Sequence, residues 1–215
     1  ESLYETIPKF HDTVKRFRDF KDALRKDVKN RARLCREEIE FVLAREDDCG
    51  VLMKQLEEGI LPLRVTHNDT KLNNILFDKN TGEGLCIIDL DTIMPGLAAN
   101  DFGDSIRFGA STAEEDEKDL NKVHFDIELY RIYVKGYLEM AKDVLTPAEN
   151  ASLPWGARLM TLECGMRFLA DFLQGDVYFK TTYPEHNLVR ARTQFRLVKE
   201  MEEQFDQMQE IVETF

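Results

Sequence analysis

Apolar side chains recur every three to four residues over most of this chain, which is the spacing of helices that bury one face. In the first stretch the repeat falls on Val14, Phe17, Phe20 and Leu24. The last stretch carries a long apolar stripe, which favours one helix packed into the core. Helices are predicted within residues 9–58, as three short segments, and over 123–142, 157–173 and 186–213.

Two polar patterns predict where further helices begin. Ser111 and Thr112 each precede a glutamate by three residues, the arrangement in which side chains cap the first helical turn. The acidic run that follows would suit the positive end of a helix dipole. Thr146 is followed by Pro147, a residue favoured at the first helical position. We therefore expect helices to start near residues 111 and 146.

Between residues 61 and 91 the helical repeat gives way to short apolar runs that predict strands. Residues 74–78 and 85–89 are separated by the turn sequence Lys79-Asn-Thr-Gly-Glu-Gly84, which is typical of a β-hairpin. If residue 78 pairs with residue 85, antiparallel register places Asn74 opposite Asp89. Opposed side chains in a hairpin have Cβ atoms about 4.5–5.5 Å apart.

Composition narrows the function classes. The chain has 215 residues and a formal net charge of −12, which suits one domain over residues 1–215 and disfavours a nucleic-acid surface. No apolar run is long enough for a membrane span, so no membrane partner is expected. A cytoplasmic location is expected instead. The four cysteines show no metal-binding spacing and are expected to be reduced thiols, with a metal site or a nucleophile as the alternative.

The candidate chemistry is concentrated around the hairpin. Asp69 lies in a polar loop, Asn74 begins one strand and Asp89 ends the other. An amide oxygen and a carboxylate suit Mg²⁺, which binds oxygen ligands and substrate phosphates. Asp69 could then accept a proton from an attacking hydroxyl, and Lys71 could offset charge on a transferred phosphoryl group. Asp91 is a second possible metal ligand.

The joint spacing of these residues carries a family resemblance. His67-x-Asp69-x-Lys71-x-x-Asn74, followed by Asp89, resembles the catalytic loop and metal aspartate of the aminoglycoside phosphotransferase and choline kinase superfamily. Within it, the chain resembles the N-acetylhexosamine 1-kinases. The strings that carry this similarity are 63–76, 87–96, 101–112, 163–170 and 183–190.

The resemblance implies a role for each matching residue. Asp69 would be the catalytic aspartate that faces the anomeric hydroxyl of the sugar, with Lys71 beside it. Asn74 and Asp89 would hold Mg²⁺ that bridges the phosphates of ATP. The residues implied to contact the hexosamine are Phe108, Arg167 and Tyr178.

Two further residues are assigned structural roles near the site. His67 is expected to be a hydrogen-bonded structural histidine. Asp101-Phe102-Gly103 spells the metal-binding triplet of protein kinases, but it follows no hairpin strand. We therefore assign the metal to Asp89 and expect Asp101 to brace the catalytic loop, as the resemblance implies.

The resemblance also predicts the architecture. The expected fold class is α+β and mainly α, namely the helical C-terminal lobe of a protein-kinase-like fold with a small β-hairpin. A preceding β-rich nucleotide lobe would be absent from this chain, and no glycine-rich phosphate loop occurs in it. The alternatives left open are a kinase of choline, homoserine, a fructosamine or an aminoglycoside, and a non-catalytic kinase-like binding module.

Overall fold

The computed structural model describes residues 3–141 and 143–215, and most of them are helical. The helices are α1 Thr13–Lys26, α2 Arg36–Leu43, α3 Val51–Glu57, α4 Ala98–Gly109, α5 Ile127–Ala141, α6 Pro147–Gln174, α7 His186–Glu203 and α8 Phe205–Thr214. The strands are β1 Arg64–Thr66, β2 Ile75–Phe77, β3 Gly84–Ile87 and β4 Met94–Gly96.

Helix α6 is the centre of the fold. Its start matches the prediction, because Thr146 accepts a hydrogen bond from the Glu149 amide and Glu149 accepts one from the Thr146 amide. Its residues are buried on all sides, so neighbouring helices surround it. One apolar core joins it to α1, α2, α3 and α7, and a second joins it to α4, α5 and α8.

The predicted hairpin is present, but its register differs from our expectation. Ile75 pairs with Ile87 and Phe77 pairs with Gly84, with an irregularity between Leu76 and Phe77. The cause is a tighter turn than expected, in which the Asp78 amide donates to Glu83 O. The Ile88 amide consequently donates to Asn74 O at 2.9 Å, so Asn74 lies opposite residue 88 rather than Asp89.

A second antiparallel pair, β1 with β4, was not predicted. Thr66 pairs with Met94 and Arg64 pairs with Gly96. Gly96 allows this close approach, because an added Cβ would lie 2.3 Å from the Thr66 hydroxyl oxygen. The pair holds the start of the polar loop against the segment that leads into α4.

The structure differs from the helix predictions in three places. Helix α4 was missed because it contains two glycines, an asparagine and two aspartates, which are poor helix formers that tertiary contacts override here. No helix begins at Ser111: the Thr112 hydroxyl donates to Lys122 O, and Ser111 forms an isolated bridge with Phe125. The predicted single helix over 186–213 is interrupted at Gln204, between α7 and α8.

Among the described residues, no helix combines the length and apolar character that crossing a bilayer requires.

Candidate active site

The polar loop after β1 is held in place by one carboxylate on α4. Asp101 accepts hydrogen bonds from the amides of His67 and Asn68, at 2.8 and 2.7 Å. Both of its oxygens are thereby used by the backbone of the loop. Burial raises the pKa of Asp101, although these two hydrogen bonds act in the opposite direction. This geometry suits the bracing role predicted for Asp101.

A second carboxylate on α4 binds the same loop, and we did not predict it from the sequence. Asp104 accepts from the Thr70 amide at 2.8 Å, and its other oxygen accepts from the Arg107 guanidinium at 3.0 Å. The Thr70 hydroxyl donates to Asp101 O. The spacing of Asp101 and Asp104 by three residues would have indicated one helix face, had α4 been predicted.

Asp69 stands within this anchored loop, with its two oxygens in different surroundings. The Lys71 ammonium donates to Oδ2 at 2.8 Å, and the Asn74 side-chain amide donates to the same oxygen at 2.9 Å. Asn74 also donates to the Asp69 backbone carbonyl. Oδ1 accepts no hydrogen bond from any described residue, so this oxygen has lone pairs available to accept one.

His67 links the loop to the end of the hairpin. Its Nδ1 accepts from the Asp69 amide at 3.3 Å, so this nitrogen carries a lone pair. Nε2 then carries the hydrogen and donates to Ile88 O at 3.0 Å. A neutral imidazole meets both contacts, which suits the structural role predicted for His67.

A cavity of about 460 Å³ opens beside these residues. Asp69, Lys71 and Asn74 line it together with Tyr133 and Tyr137 of α5. Asp89 and the three residues implied to bind sugar do not line it. The residues implied to bind the sugar therefore do not share this cavity with Asp69.

The proposed metal ligands flank the hairpin rather than facing each other in it. Asn74 is buried and its amide nitrogen is turned toward Asp69, which leaves its oxygen on the other side of the group. Asp89 is exposed and has a left-handed backbone with φ of 64°, and its carboxylate makes no hydrogen bond or ion pair with the described residues.

This donor set fits Mg²⁺ only in part. Residues 3–141 and 143–215 contain no group of three or more His, Cys, Asp or Glu side chains placed to hold a metal. One amide oxygen and one carboxylate suit a cation that takes its other ligands from water and nucleotide phosphates. Asp91, the alternative ligand, is exposed in the turn after Asp89.

The residues implied to bind the sugar lie on α4, α6 and the loop after α6. The Arg167 guanidinium lies 5.9 Å from the centre of the Tyr178 ring. Phe108 lines a separate cavity of about 400 Å³ with Arg107 and Gln194.

Cys164 lies on α6, three residues before Arg167, and the charges of Arg107 and Arg167 both act on its thiol. Burial raises the pKa of the Cys164 thiol to about 12. Burial also raises the pKa of Cys35 to about 11 and of Cys49 to about 12. All four cysteines are free, and these three are thiols at neutral pH, which disfavours a nucleophilic role for them.

Comparison with known families identifies the group to which this site belongs. The model of the APH family, described as the phosphotransferase enzyme family, matches residues 1–142. The chain belongs to the APH phosphotransferase family. The match spans the anchored loop, the hairpin and α4, and it therefore includes the residues around Asp69.

The fold resembles that of a solved choline kinase. The choline kinase from Cryptosporidium parvum Iowa II superposes with a TM-score of 0.57 at 16% identity. The superposition covers 97% of this chain and 62% of the choline kinase chain, so this chain spans less than two thirds of that relative. The predicted fold class, a mainly helical lobe of the kinase-like fold, is confirmed.

Proposed function

We propose that this chain is the substrate lobe of a kinase that transfers the γ-phosphoryl group of ATP to the anomeric hydroxyl of an N-acetylhexosamine. The product would be the sugar 1-phosphate. The observation that carries the phosphotransferase proposal is the Asp69 carboxylate, which α4 anchors through the loop backbone and whose Oδ1 has no partner among the described residues. The sugar assignment is supported by the sequence resemblance and by the contact between Arg167 and Tyr178.

The proposed chemistry follows from the different surroundings of the two carboxylate oxygens of Asp69. A substrate hydroxyl that donates to Oδ1 is oriented for in-line attack on the γ-phosphorus. The new oxygen–phosphorus bond forms as the bond to the β-phosphate oxygen breaks, and the hydroxyl proton passes to Oδ1. Lys71 and Asn74 hold Oδ2 during this step, so the carboxylate keeps its orientation.

Asn74 and Asp89 are the residues that would hold Mg²⁺. When bound, the ion would neutralise charge on the nucleotide phosphates. The carboxylate of Asp89 is exposed and has no partner in residues 3–141 and 143–215, so it is available for that contact.

A choline-type acceptor is the second candidate. Tyr133 and Tyr137 line the cavity that contains Asp69, and aromatic faces bind quaternary ammonium groups. The two candidates differ in location, because the aromatic pair belongs to α5 whereas Arg167 and Tyr178 belong to α6 and the loop that follows it.

A substrate panel separates these candidates. The complete protein should phosphorylate GlcNAc or GalNAc in the presence of Mg²⁺ and ATP, with choline and kanamycin giving rates near background. Substitution R167M should raise the KM for the sugar at least tenfold, because it removes a charged hydrogen-bond donor. Phosphorylation of choline alone would favour the second candidate. A protein that gains no thermal stability from Mg²⁺ and ATP and turns over no acceptor would be the non-catalytic module.

We also propose that a second lobe covers the hairpin in the complete protein. Both strands expose apolar side chains, with Phe77 at 51% and Leu85 at 63% exposure, and exposed apolar patches commonly mark interfaces. This lobe would supply the nucleotide-covering loop that the sequence lacks.

The 215-residue chain alone should therefore turn over ATP negligibly, because phosphoryl transfer depends on positioning the nucleotide from both sides. A coupled assay that compares it with the complete protein tests this expectation. Comparable turnover by the two would show that the second lobe is not needed.

A further inference from the structure

His11 lies in the segment before α1 and bridges the central helix to the catalytic loop. Its Nδ1 is 2.9 Å from Glu163 Oε1, and its Nε2 is 3.0 Å from Asn68 O. The side chains of His11 and Glu163 are 10% and 2% exposed. Asn68 O belongs to the peptide group that leads directly into Asp69.

This peptide group is held from both ends by histidines. His11 contacts its carbonyl oxygen, and His67 accepts from its N–H, which is the Asp69 amide. Asn68 has a left-handed backbone with φ of 65°, a conformation that asparagine adopts more readily than most non-glycine residues. Two contacts on one peptide therefore fix a tight turn immediately before the proposed base.

We propose that His11 is a positioning residue for catalysis, which acts as an imidazolium clamped between Glu163 and Asn68 O and thereby orients Asp69. This inference rests on the proposed phosphotransfer function. Both ring nitrogens face acceptors, so neutral imidazole beside ionised Glu163 would lose one of its two hydrogen bonds. The imidazolium keeps both.

The surroundings of His11 favour its charged form. Burial lowers the pKa of His11, but the charge of Glu163 and the hydrogen bonds to Glu163 and Asn68 O outweigh it, so the pKa is raised. The other charged groups near it are Asp101 and Asp104 on α4, and Arg16 on α1, whose Nε is 3.8 Å from Glu163 Oε1. The catalytic loop contributes a backbone carbonyl to the contact. Because the folded pKa is raised, the clamp is complete below the ordinary histidine pKa and is lost as pH rises through the folded value.

Variants at both ends of the clamp test the proposal in the complete protein. H11N should lower kcat roughly 10- to 100-fold, as expected for a misplaced catalytic group, while the KM of the acceptor changes less than threefold. E163Q should keep the bond to Asn68 O, because the carboxamide introduced by this substitution can donate to Nδ1 while neutral Nε2–H donates to Asn68. The alkaline decline of kcat that the wild type owes to His11 should therefore be absent in E163Q.

His124 supplies a matched control. Its Nδ1 lies 3.0 Å from Glu200 and its Nε2 lies 2.8 Å from Asn121 O, which is the same bonding pattern on an exposed loop far along the chain from Asp69. H124N should leave kcat and its pH profile unchanged. An equal loss of kcat in H124N and H11N would overturn the positioning role.

Two readouts need no kinase activity, so they separate this proposal from the proposed function. Nitrogen-15 NMR at pH 6, below the ordinary histidine pKa, should show His11 doubly protonated in the wild type and neutral in E163Q. Hydrogen exchange of the 67–71 amides should be faster in H11N than in H124N. A neutral wild-type His11, or unchanged exchange in H11N, would overturn the clamp. Failure of the wild type to phosphorylate any acceptor would instead contradict the proposed function.

Discussion

Replacing Asp69 by asparagine should lower kcat of the complete protein by roughly 10²- to 10⁴-fold, the usual contribution of a general base. Lys71 and Asn74 both donate to Oδ2 of Asp69, so the introduced carboxamide will place its carbonyl oxygen there. Its NH₂ group then occupies the position of Oδ1 and presents a donor where the substrate hydroxyl needs an acceptor. Binding of the acceptor should change much less than kcat.

Folding should be almost unaffected by D69N. The ion pair of Asp69 with Lys71 is partly exposed, with side-chain exposures of 26% and 34%, and such pairs contribute little. The measurements are steady-state kinetics and thermal unfolding, with D206N on the exposed start of α8 as the control. A D69N enzyme with kcat within threefold of the wild type would remove Asp69 from the mechanism.

Site residues that are close together in the sequence could be predicted, whereas those that come from distant parts of the chain could not. Asp69, Lys71 and Asn74 stand within six residues, so their motif predicts their proximity, and the structure places all three on one cavity. Asp104 and His11 were missed because they reach the loop from other elements. Their contacts depend on how α4 and α6 pack, which no local pattern specifies.

In the hairpin, an error in the predicted turn changes which residues lie opposite each other. The run of apolar and polar residues correctly predicted two strands and a turn. It did not predict that Asp78 would close the turn on Glu83, with its side chain accepting from the Asn80 and Thr81 amides. This turn moves the hairpin register by one residue, so Asn74 does not lie directly opposite Asp89. The metal-site proposal therefore depends on the motif and on the exposed Asp89, and no longer on strand pairing.

Helix α4 illustrates the opposite failure. Its sequence disfavours a helix, yet Gly103 is the residue that permits α4 to pack closely on α6. A Cβ added to Gly103 would lie 2.1 Å from Gly156 O, and one added to Gly156 would lie 2.0 Å from Ala99 O. The two helices thus pack backbone against backbone. Glycine weakens the helix locally, but the packing of the two helices requires it. A sequence pattern shows the low helix propensity and does not show the packing requirement.

Substituting Gly156 by alanine should therefore destabilise the fold by about 1–3 kcal/mol or more, since the clashing atoms are backbone and cannot rotate away. For a chain of this size that corresponds to a fall of several degrees in Tm. The control is G136A in α5, where no atom lies within 4 Å of the added Cβ. Alanine should there raise stability by up to about 1 kcal/mol, because it is the better helix former.

The same substitution should also affect catalysis, because α4 carries both carboxylates that hold the loop. Pushing α4 away from α6 moves Asp101 and Asp104 relative to His67, Asn68 and Thr70, whose amides they accept. We expect G156A to lower kcat even at temperatures where the protein remains folded, whereas G136A should not. Thermal unfolding together with kinetics at a low temperature separates the two effects. If G156A is as stable and as active as G136A, then the close approach of α4 to α6 is not what positions Asp69.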